Sequence, residues 1–290
     1  MINKIISGKT KICGIIGDPV EHTMSPRMQN AAFQAKRLNF VYLPFKVKKE
    51  ELENAIQGVR ALNIRGLNIT IPHKVTVLPF LDKIDPLAEK IGAVNTLVNE
   101  DGVLKGYNTD ATGFLKALLS EKIEIKDKRV LILGSGGAAR AIAFSLVEKG
   151  ASLTILNRHP ISAINLAERI KAIFGIDVEA LEFSENNLKI SLEKADILVN
   201  TTSLGMTPNV EVSPIPAKLM HPGVIVFDII YNPLKTRLLM EAEMRGLRVI
   251  TGIEMLIWQG AYAFELWTGE SAPLEIMRTA ALIGVGKDED

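Results

Sequence analysis

Lys128-Arg-Val-Leu-Ile-Leu-Gly-Ser-Gly-Gly-Ala-Ala-Arg140, or KRVLILGSGGAAR, decides how this chain is read. Val130 to Leu133 form an unbroken apolar run, the pattern of a strand buried on both faces, as parallel sheets require. A glycine cluster follows, and then the helical run ARAIAFSLVEKG. Strand, glycine turn and helix thus stand in the order of a dinucleotide-binding unit. Gly134, Ser135, Gly136, Gly137, Ala138 and Ala139 fit its G-x-G-x-x-G/A spacing. A tight βα turn with no ligand would have the same spacing, so the flanking strand and helix carry the weight. In this context Gly136 lets a pyrophosphate approach the backbone, and the helix N-terminus offers oriented N–H groups.

Downstream, SLTIL, DVEAL, DILVN, VIVFD and LRVIT are further strand candidates separated by helical or loop segments. Together they predict about six strands in a doubly wound sheet. An NAD site would place an acid about 20 residues past the glycines, at the end of the second strand. This chain has Asn157-Arg158 there. A guanidinium pairs with a 2′-phosphate that an acid would repel, so NADP is the expected cofactor. His159 could add a contact or stand in solvent.

Upstream, ICGIIG, PRMQNAAFQAKRL, FVYLPFKV, EELENAIQGVRAL and GLNITI alternate strand and helix patterns, a βαβαβ unit. Asp101-Gly102 between apolar pieces of Asn95–Tyr107 predicts a hairpin, so this sheet is mixed. After Thr251, the apolar helical stretch Met255 to Trp267 resembles no seventh strand. It is expected to return to the first domain and make that domain discontinuous.

Length agrees with two domains, since 290 residues exceed the usual single domain. Hydrophobic residues at 47%, charged ones at 23% and a formal net charge of +1 describe an ordinary globular protein. Without a basic run, neither nucleic acid nor an anionic membrane is expected as partner, and a small molecule is favoured. The one cysteine, Cys13, reads as a small apolar strand residue and makes no intramolecular disulfide. No signal-peptide core or 18-residue apolar run is seen, so the cytoplasm is the expected compartment. No metal is expected. The closing Lys287–Asp290 reads as a frayed polar tail.

GLNITIPHK, Gly66 to Lys74, reads as a short alternating strand that stops at a proline and delivers a lysine. Reducing a ketone requires a proton at its oxygen, and Lys74 could donate one. Its poise would depend on burial and on a carboxylate partner. Asp110 in GYNTD is the candidate for that partner, or else an N-cap of the following helix, and both roles can coexist. In EHTMSP, Ser25 is placed as N-cap with Pro26 at the first helical position. Thr23 and Ser25, two apart in an extended segment, would also turn their hydroxyls to one side, beside a helix N-terminus suited to a carboxylate. The cap and anion readings both stand.

Taken in order, GDPVEHTMSPRMQNAAF, GLNITIPHK, IGAVNT, GYNTD, GSGGAAR, NR, NTTSLGM, YNPLKT and GIEMLIWQGAYAFELWTG resemble the shikimate dehydrogenase family over nearly the whole chain. The resemblance implies an α/β protein with an N-terminal mixed-sheet substrate-binding domain, a Rossmann-fold NADP-binding domain and an active site in the interdomain cleft. The expected bounds are 1–112 with 253–290 for the first and 113–252 for the second. It implies the reduction of 3-dehydroshikimate to shikimate by NADPH, in the shikimate pathway of aromatic amino acid biosynthesis. Lys74 would exchange the proton and Asp110 support it. Thr23 and Ser25 would bind the substrate carboxylate; Thr70, Asn95 and Gln259 would bond to the carboxylate or ring hydroxyls; Tyr231 would line the pocket. Met206 and Gly252 fall on motifs that lie beside the nicotinamide in the family. Taken singly, Thr70 reads as a strand residue, Asn95 as a turn, Gln259 as a polar helix position and Tyr231 as an aromatic anchor.

Two departures bear on these expectations. Thr23 stands where the family usually has serine, which keeps the hydroxyl but adds a stiffening methyl. His159-Pro160 replaces the threonine often found after the NR pair. The rival expectations are a quinate or dual quinate/shikimate dehydrogenase and a catalytically silent NADP-sensing regulator on the same fold. Aromatic and methionine side chains near the C-terminus could serve a homodimer, core packing being the plainer reading.

Overall fold

A computed structural model of the chain describes residues 6–284. The tail expected at Lys287–Asp290 and the outermost ends of the expected first domain, 1–5 and 285–290, lie outside the described residues. The chain divides into two compact units, Met1–Thr109 with Ile257–Asp290, and Asp110–Leu256.

The first unit opens with β1 (Lys11–Gly17), α1 (Ser25–Ala35), β2 (Phe40–Lys46), α2 (Leu52–Ala61) and β3 (Gly66–Ile69). It continues with β4 (Lys83–Ile84), α3 (Pro86–Ile91), β5 (Thr96–Glu100) and β6 (Val103–Tyr107). The strands form one sheet in the order β2-β1-β3-β5-β6-β4. β1 runs parallel to β2 and β3, whereas β5 is antiparallel to both β3 and β6. The β5–β6 turn has Asp101 at φ 51° and Gly102 at φ 90°, the pair of positive φ values that a type I′ turn demands. β3 departs from a half-exposed strand, because all four of its residues are buried. Leu67 and Ile69 join a core with Ile56 and Val59 of α2. On the other face a Cβ at Gly66 would lie 2.1 Å from Trp267 Nε1, so only glycine admits the indole. That indole donates to the Leu97 carbonyl at 2.9 Å.

Trp267 belongs to α9 (Ile253–Thr268), which is followed by α10 (Leu274–Gly284). Phe264 stacks on Phe33 of α1 with ring centroids 5.4 Å apart, and Gln29 Nε2 donates to the Gly260 carbonyl at 2.8 Å. Trp267, Phe264 and Met277 are all buried. Those C-terminal side chains are spent on packing within the unit, each such burial being worth roughly 1.5–3 kcal/mol.

The second unit begins with α4 (Asp110–Ser120) and then alternates β7 (Arg129–Leu133), α5 (Gly137–Glu148), β8 (Ser152–Asn157), α6 (Pro160–Phe174), β9 (Glu179–Glu182) and α7 (Glu185–Lys194). β10 (Ile197–Asn200), β11 (Ile225–Asp228), α8 (Arg237–Met244) and β12 (Val249–Ile250) complete it. The sheet order is β12-β11-β10-β7-β8-β9, every pairing parallel. Numbered within the unit, this is the 3-2-1-4-5-6 order of a doubly wound fold, whose strand order reverses between β7 and β10. Val130–Leu133 are all buried, as their unbroken apolar run demands.

Candidate active site

Strand direction explains which residues of the first unit gather. β1 and β3 run parallel, so Gly17 and Ile69 end at the same sheet edge. β5 is antiparallel and starts there, Thr96 pairing with Asn68, and β6 ends there at Tyr107 opposite Thr96. The loops after β1, β3 and β6 and the residue before β5 therefore share one edge. They carry Thr23, Thr70 and Lys74, Thr109, and Asn95 respectively, with Ser25 just past the first loop and Asp110 just past the third, where the second unit begins.

Short backbone bonds tie these loops together. Thr70 N–H donates to the Ile16 carbonyl at 3.0 Å, Asp18 N–H to Ile71 at 2.9 Å, and Val94 N–H to the carbonyl of Lys74 at 2.8 Å. Lys74 is half-buried and its neighbour His73 fully buried, the ring's Nε2 lying 2.7 Å from the Val47 carbonyl.

Asn95, only 2% exposed, sits at the centre of a buried polar network. Its Oδ1 accepts from the Thr109 N–H at 2.7 Å and from the Thr96 hydroxyl at 3.1 Å. Its Nδ2 donates to Thr109 Oγ1 at 2.9 Å and to Gln259 Oε1 at 3.4 Å. Asn68 Nδ2 extends the network to Thr96, and the Tyr42 hydroxyl donates to Asn68 Oδ1 at 2.7 Å. Asn95 thus holds Gln259 of α9, fixes Thr109 immediately before Asp110, and follows Val94, which is bonded to Lys74. Satisfied networks of this kind are rigid, because breaking any member strands a buried partner. Asn68, Thr96, Thr109 and Tyr42 were not among the residues expected from the sequence. The polar residues of GLNITI and IGAVNT were the available signal.

The Thr23–Ser25 segment corrects an expectation. It is not extended: Met24 is helical at φ −83° and ψ −9°, Ser25 is already the first residue of α1, and no side chain of the N-cap residue bonds there. Ser25 is therefore not the cap. Instead Thr23 Oγ1 accepts from Ser25 N–H at 3.4 Å, which brings the two residues together at the N-terminus of α1 by a turn. Nearby Lys46 bonds Glu21 at 2.8 Å and, with the backbone N–H of Val20, holds that carboxyl down at about 2. Asp110 likewise opens α4 as its first residue, one place past the cap position expected for it, and is buried.

In the second unit the glycine turn lies between β7 and α5. Gly134 has φ +102°, and a Cβ there would lie 2.7 Å from Thr201 Oγ1, so the position requires glycine twice over. Gly136 is different. Its φ of −73° suits any residue and a Cβ would meet nothing within 4 Å, while α5 has no side-chain cap. Space and free helix-terminal N–H groups coincide there, which fits a pyrophosphate. Gly137 and Ala138 open the helix. Ser135 accepts from Asn157 Nδ2 at 2.8 Å, joining the turn to the end of β8. Arg158, the next residue, is exposed and forms no ion pair among the described residues. The donor set fits a dinucleotide carrying a 2′-phosphate.

Met206, Tyr231 and Gly252 lie on the loops after β10, β11 and β12. Met206 and Tyr231 are half-buried and Gly252 is buried. The loops after β10 and β11 meet where Thr207 N–H donates to the Asn232 carbonyl at 3.2 Å. A Cβ at Gly252 would lie 2.1 Å from the Ile229 carbonyl, so this loop packs directly against the backbone after β11. Burial pushes the Cys13 thiol up and leaves it inert. Among the described residues no cluster of ligating side chains could hold a metal, and no helix is long and apolar enough to cross a membrane.

Three family models match the chain: a shikimate dehydrogenase substrate binding domain over residues 15–97, a shikimate / quinate 5-dehydrogenase over 117–230, and a shikimate 5′-dehydrogenase C-terminal domain over 252–282. The chain is 48% identical over 276 residues to the curated shikimate dehydrogenase (NADP+) of Dehalococcoides mccartyi strain CBDB1, covering 95% of this chain and 96% of that protein. A crystal structure of a shikimate dehydrogenase in complex with NADP+ is 43% identical with a TM-score of 0.91, covering 99% of this chain and 100% of that one. The Thermus thermophilus enzyme in complex with NADP(H) and shikimate is 39% identical with a TM-score of 0.84, covering 95% and 100%.

Proposed function

We propose, from the premise that the chain belongs to the shikimate dehydrogenase family, that it catalyses the NADP-dependent, reversible reduction of 3-dehydroshikimate to shikimate with Lys74 and Asp110 as the catalytic residues. It is an α/β protein with an N-terminal substrate-binding domain and a Rossmann-like NADP-binding domain. The observation that supports the residue roles is the bonding around Asn95: its buried side chain fixes Thr109, next to Asp110, while the N–H of the preceding Val94 holds the Lys74 carbonyl.

When bound, NADPH would supply the hydride that the carbonyl carbon receives. The Lys74 ammonium donates a proton to the ketone oxygen and regains one in the reverse direction, so no alkoxide accumulates. Asp110 supports that proton exchange by orienting the ammonium toward the ketone oxygen. Thr23 and Ser25 donate hydroxyls to the substrate carboxylate at the N-terminus of α1, where the helix dipole favours an anion. The Glu21–Lys46 pair reduces the repulsion that a lone Glu21 would add nearby. Thr70, Asn95 and Gln259 orient the ring through its hydroxyls, and Tyr231 walls the pocket. Gly134 to Ala138 and the first turn of α5 would hold the pyrophosphate, Asn157 and Arg158 the adenosine end, and Met206 and Gly252 the nicotinamide end. The same reading sets the enzyme in the cytoplasm, to which a single buried cysteine is suited.

Lys74→Ala tests the assignment. The expected result is a kcat lower by about 10²–10⁴-fold in a protein with unchanged circular dichroism. A kcat at the wild-type level would remove Lys74 from the chemistry.

A further inference from the structure

We propose that Asp228, at the end of β11, is a positioning residue for hydride transfer, tying into one unit the loops that carry Met206, Tyr231 and Gly252. The inference rests on the functional reading above and adds a residue to it.

Asp228, Asn200 and Thr236 are each 0% exposed. Asp228 Oδ1 accepts from Asn200 Nδ2 at 3.1 Å and from the Ile230 N–H at 3.1 Å, and Oδ2 accepts from the Thr236 hydroxyl at 2.7 Å. Each donor leads to a different segment. Asn200 opens the β10 loop: its Oδ1 accepts from Thr202 N–H at 3.0 Å and from the Thr202 hydroxyl at 2.7 Å, and Thr202 Oγ1 in turn accepts from Leu204 N–H. Met206 follows two residues later. Ile230 immediately precedes Tyr231, and its carbonyl accepts from Gly252 N–H at 3.3 Å. Thr236 caps α8, accepting from Leu239 N–H at 3.4 Å, and closes the far end of the Tyr231 loop.

A carboxylate is the side chain this position needs. It accepts three bonds and donates none, whereas an amide would aim N–H at a donor. Asn200 cannot simply turn its amide over, because its oxygen is committed to Thr202. Removing the acceptor would strand buried donors and loosen three loops together, and misplacement of about 1 Å at a reacting centre can cost on the order of 100-fold in rate.

The test is single-turnover hydride transfer. Enzyme saturated with NADP+ is mixed with saturating shikimate, and NADPH absorbance is followed in the wild type, Asp228→Asn, Thr236→Val and Thr236→Ser. A positioning role predicts that Asp228→Asn transfers hydride about 10- to 100-fold more slowly with full amplitude per enzyme, because every molecule reacts from a poorer geometry. A merely structural role would lower the amplitude and leave the rate constant unchanged, which would overturn the proposal. Should Asp228→Asn not fold, the threonine pair decides: a slow Thr236→Val beside a near-wild-type Thr236→Ser supports the proposal, and equal rates contradict it. Wild-type enzyme that forms no NADPH from shikimate contradicts the functional reading and this inference with it. Variants as fast as an active wild type contradict the positioning role alone.

Discussion

Arg158 and Asp228 illustrate two opposite uses of charge. Arg158 is exposed and forms no ion pair with the described protein, so its charge is available to a ligand. Arg158→Ala is expected to raise KM for NADP+ by about 10- to 100-fold, the scale of charge-assisted hydrogen bonds, and to leave KM for NAD+ nearly unchanged. Equal effects on the two cofactors would make the 2′-phosphate assignment wrong. Asp228 is buried, which pushes its carboxyl up to about 6, against the opposing hydrogen bonds from Thr236, Ile230 and Asn200. A carboxyl pKa higher folded than unfolded means the native state binds the extra proton. Asp228 therefore costs stability above about pH 6, and that cost fades as pH falls toward about 4, on the order of 3 kcal/mol in all. Urea unfolding from about pH 4 to pH 7 should show the wild type losing stability relative to Asp228→Asn as pH rises. A difference that does not vary with pH would contradict it. Arg158 was legible because an acid is expected at its position. Asp228 was not, since VIVFD ends as many strands do and nothing local reveals three donors arriving from the end of β10 and from both ends of the loop after β11.

At the scale of elements, the glycine turn shows how a motif divides its labour. Gly134 is forced by its positive φ and by Thr201, and Gly136 by neither. Gly136→Ala should therefore fold with a Tm within about 2 °C of wild type, yet raise KM for NADP+ by about 10-fold, because the methyl enters the space the pyrophosphate needs. An unchanged KM would place the phosphates elsewhere. The strand–turn–helix order and the Asp101-Gly102 hairpin could be read directly, since buried-strand runs and paired positive φ values leave local traces. Other elements leave none. β4 is only Lys83–Ile84, too short for any periodicity, and the turn at Thr23–Ser25 depends on how Val20 and Thr23 bond, which no spacing rule contains. The Asn95 network was visible only as separate polar residues, because its members lie on β2, β3, β5, α9 and the β6–α4 loop and meet through sheet register.

For the whole molecule, two sheets of different kinds follow from two sequence textures. Near-continuous apolar runs give the all-parallel sheet of the second unit, and an interrupted pattern with a hairpin gives the mixed sheet of the first. Antiparallel β5 is what brings Asn95 and Thr109 to the edge where the chain leaves β3 toward Lys74, so topology rather than proximity in sequence gathers these residues of the first unit. Chemistry and cofactor choice then make one joint claim, open to a single assay. Initial rates are measured with shikimate or quinate against NADP+ or NAD+. The highest kcat/KM is expected for shikimate with NADP+. Quinate with NAD+ as the best pair, or no turnover with any of the four, would contradict it.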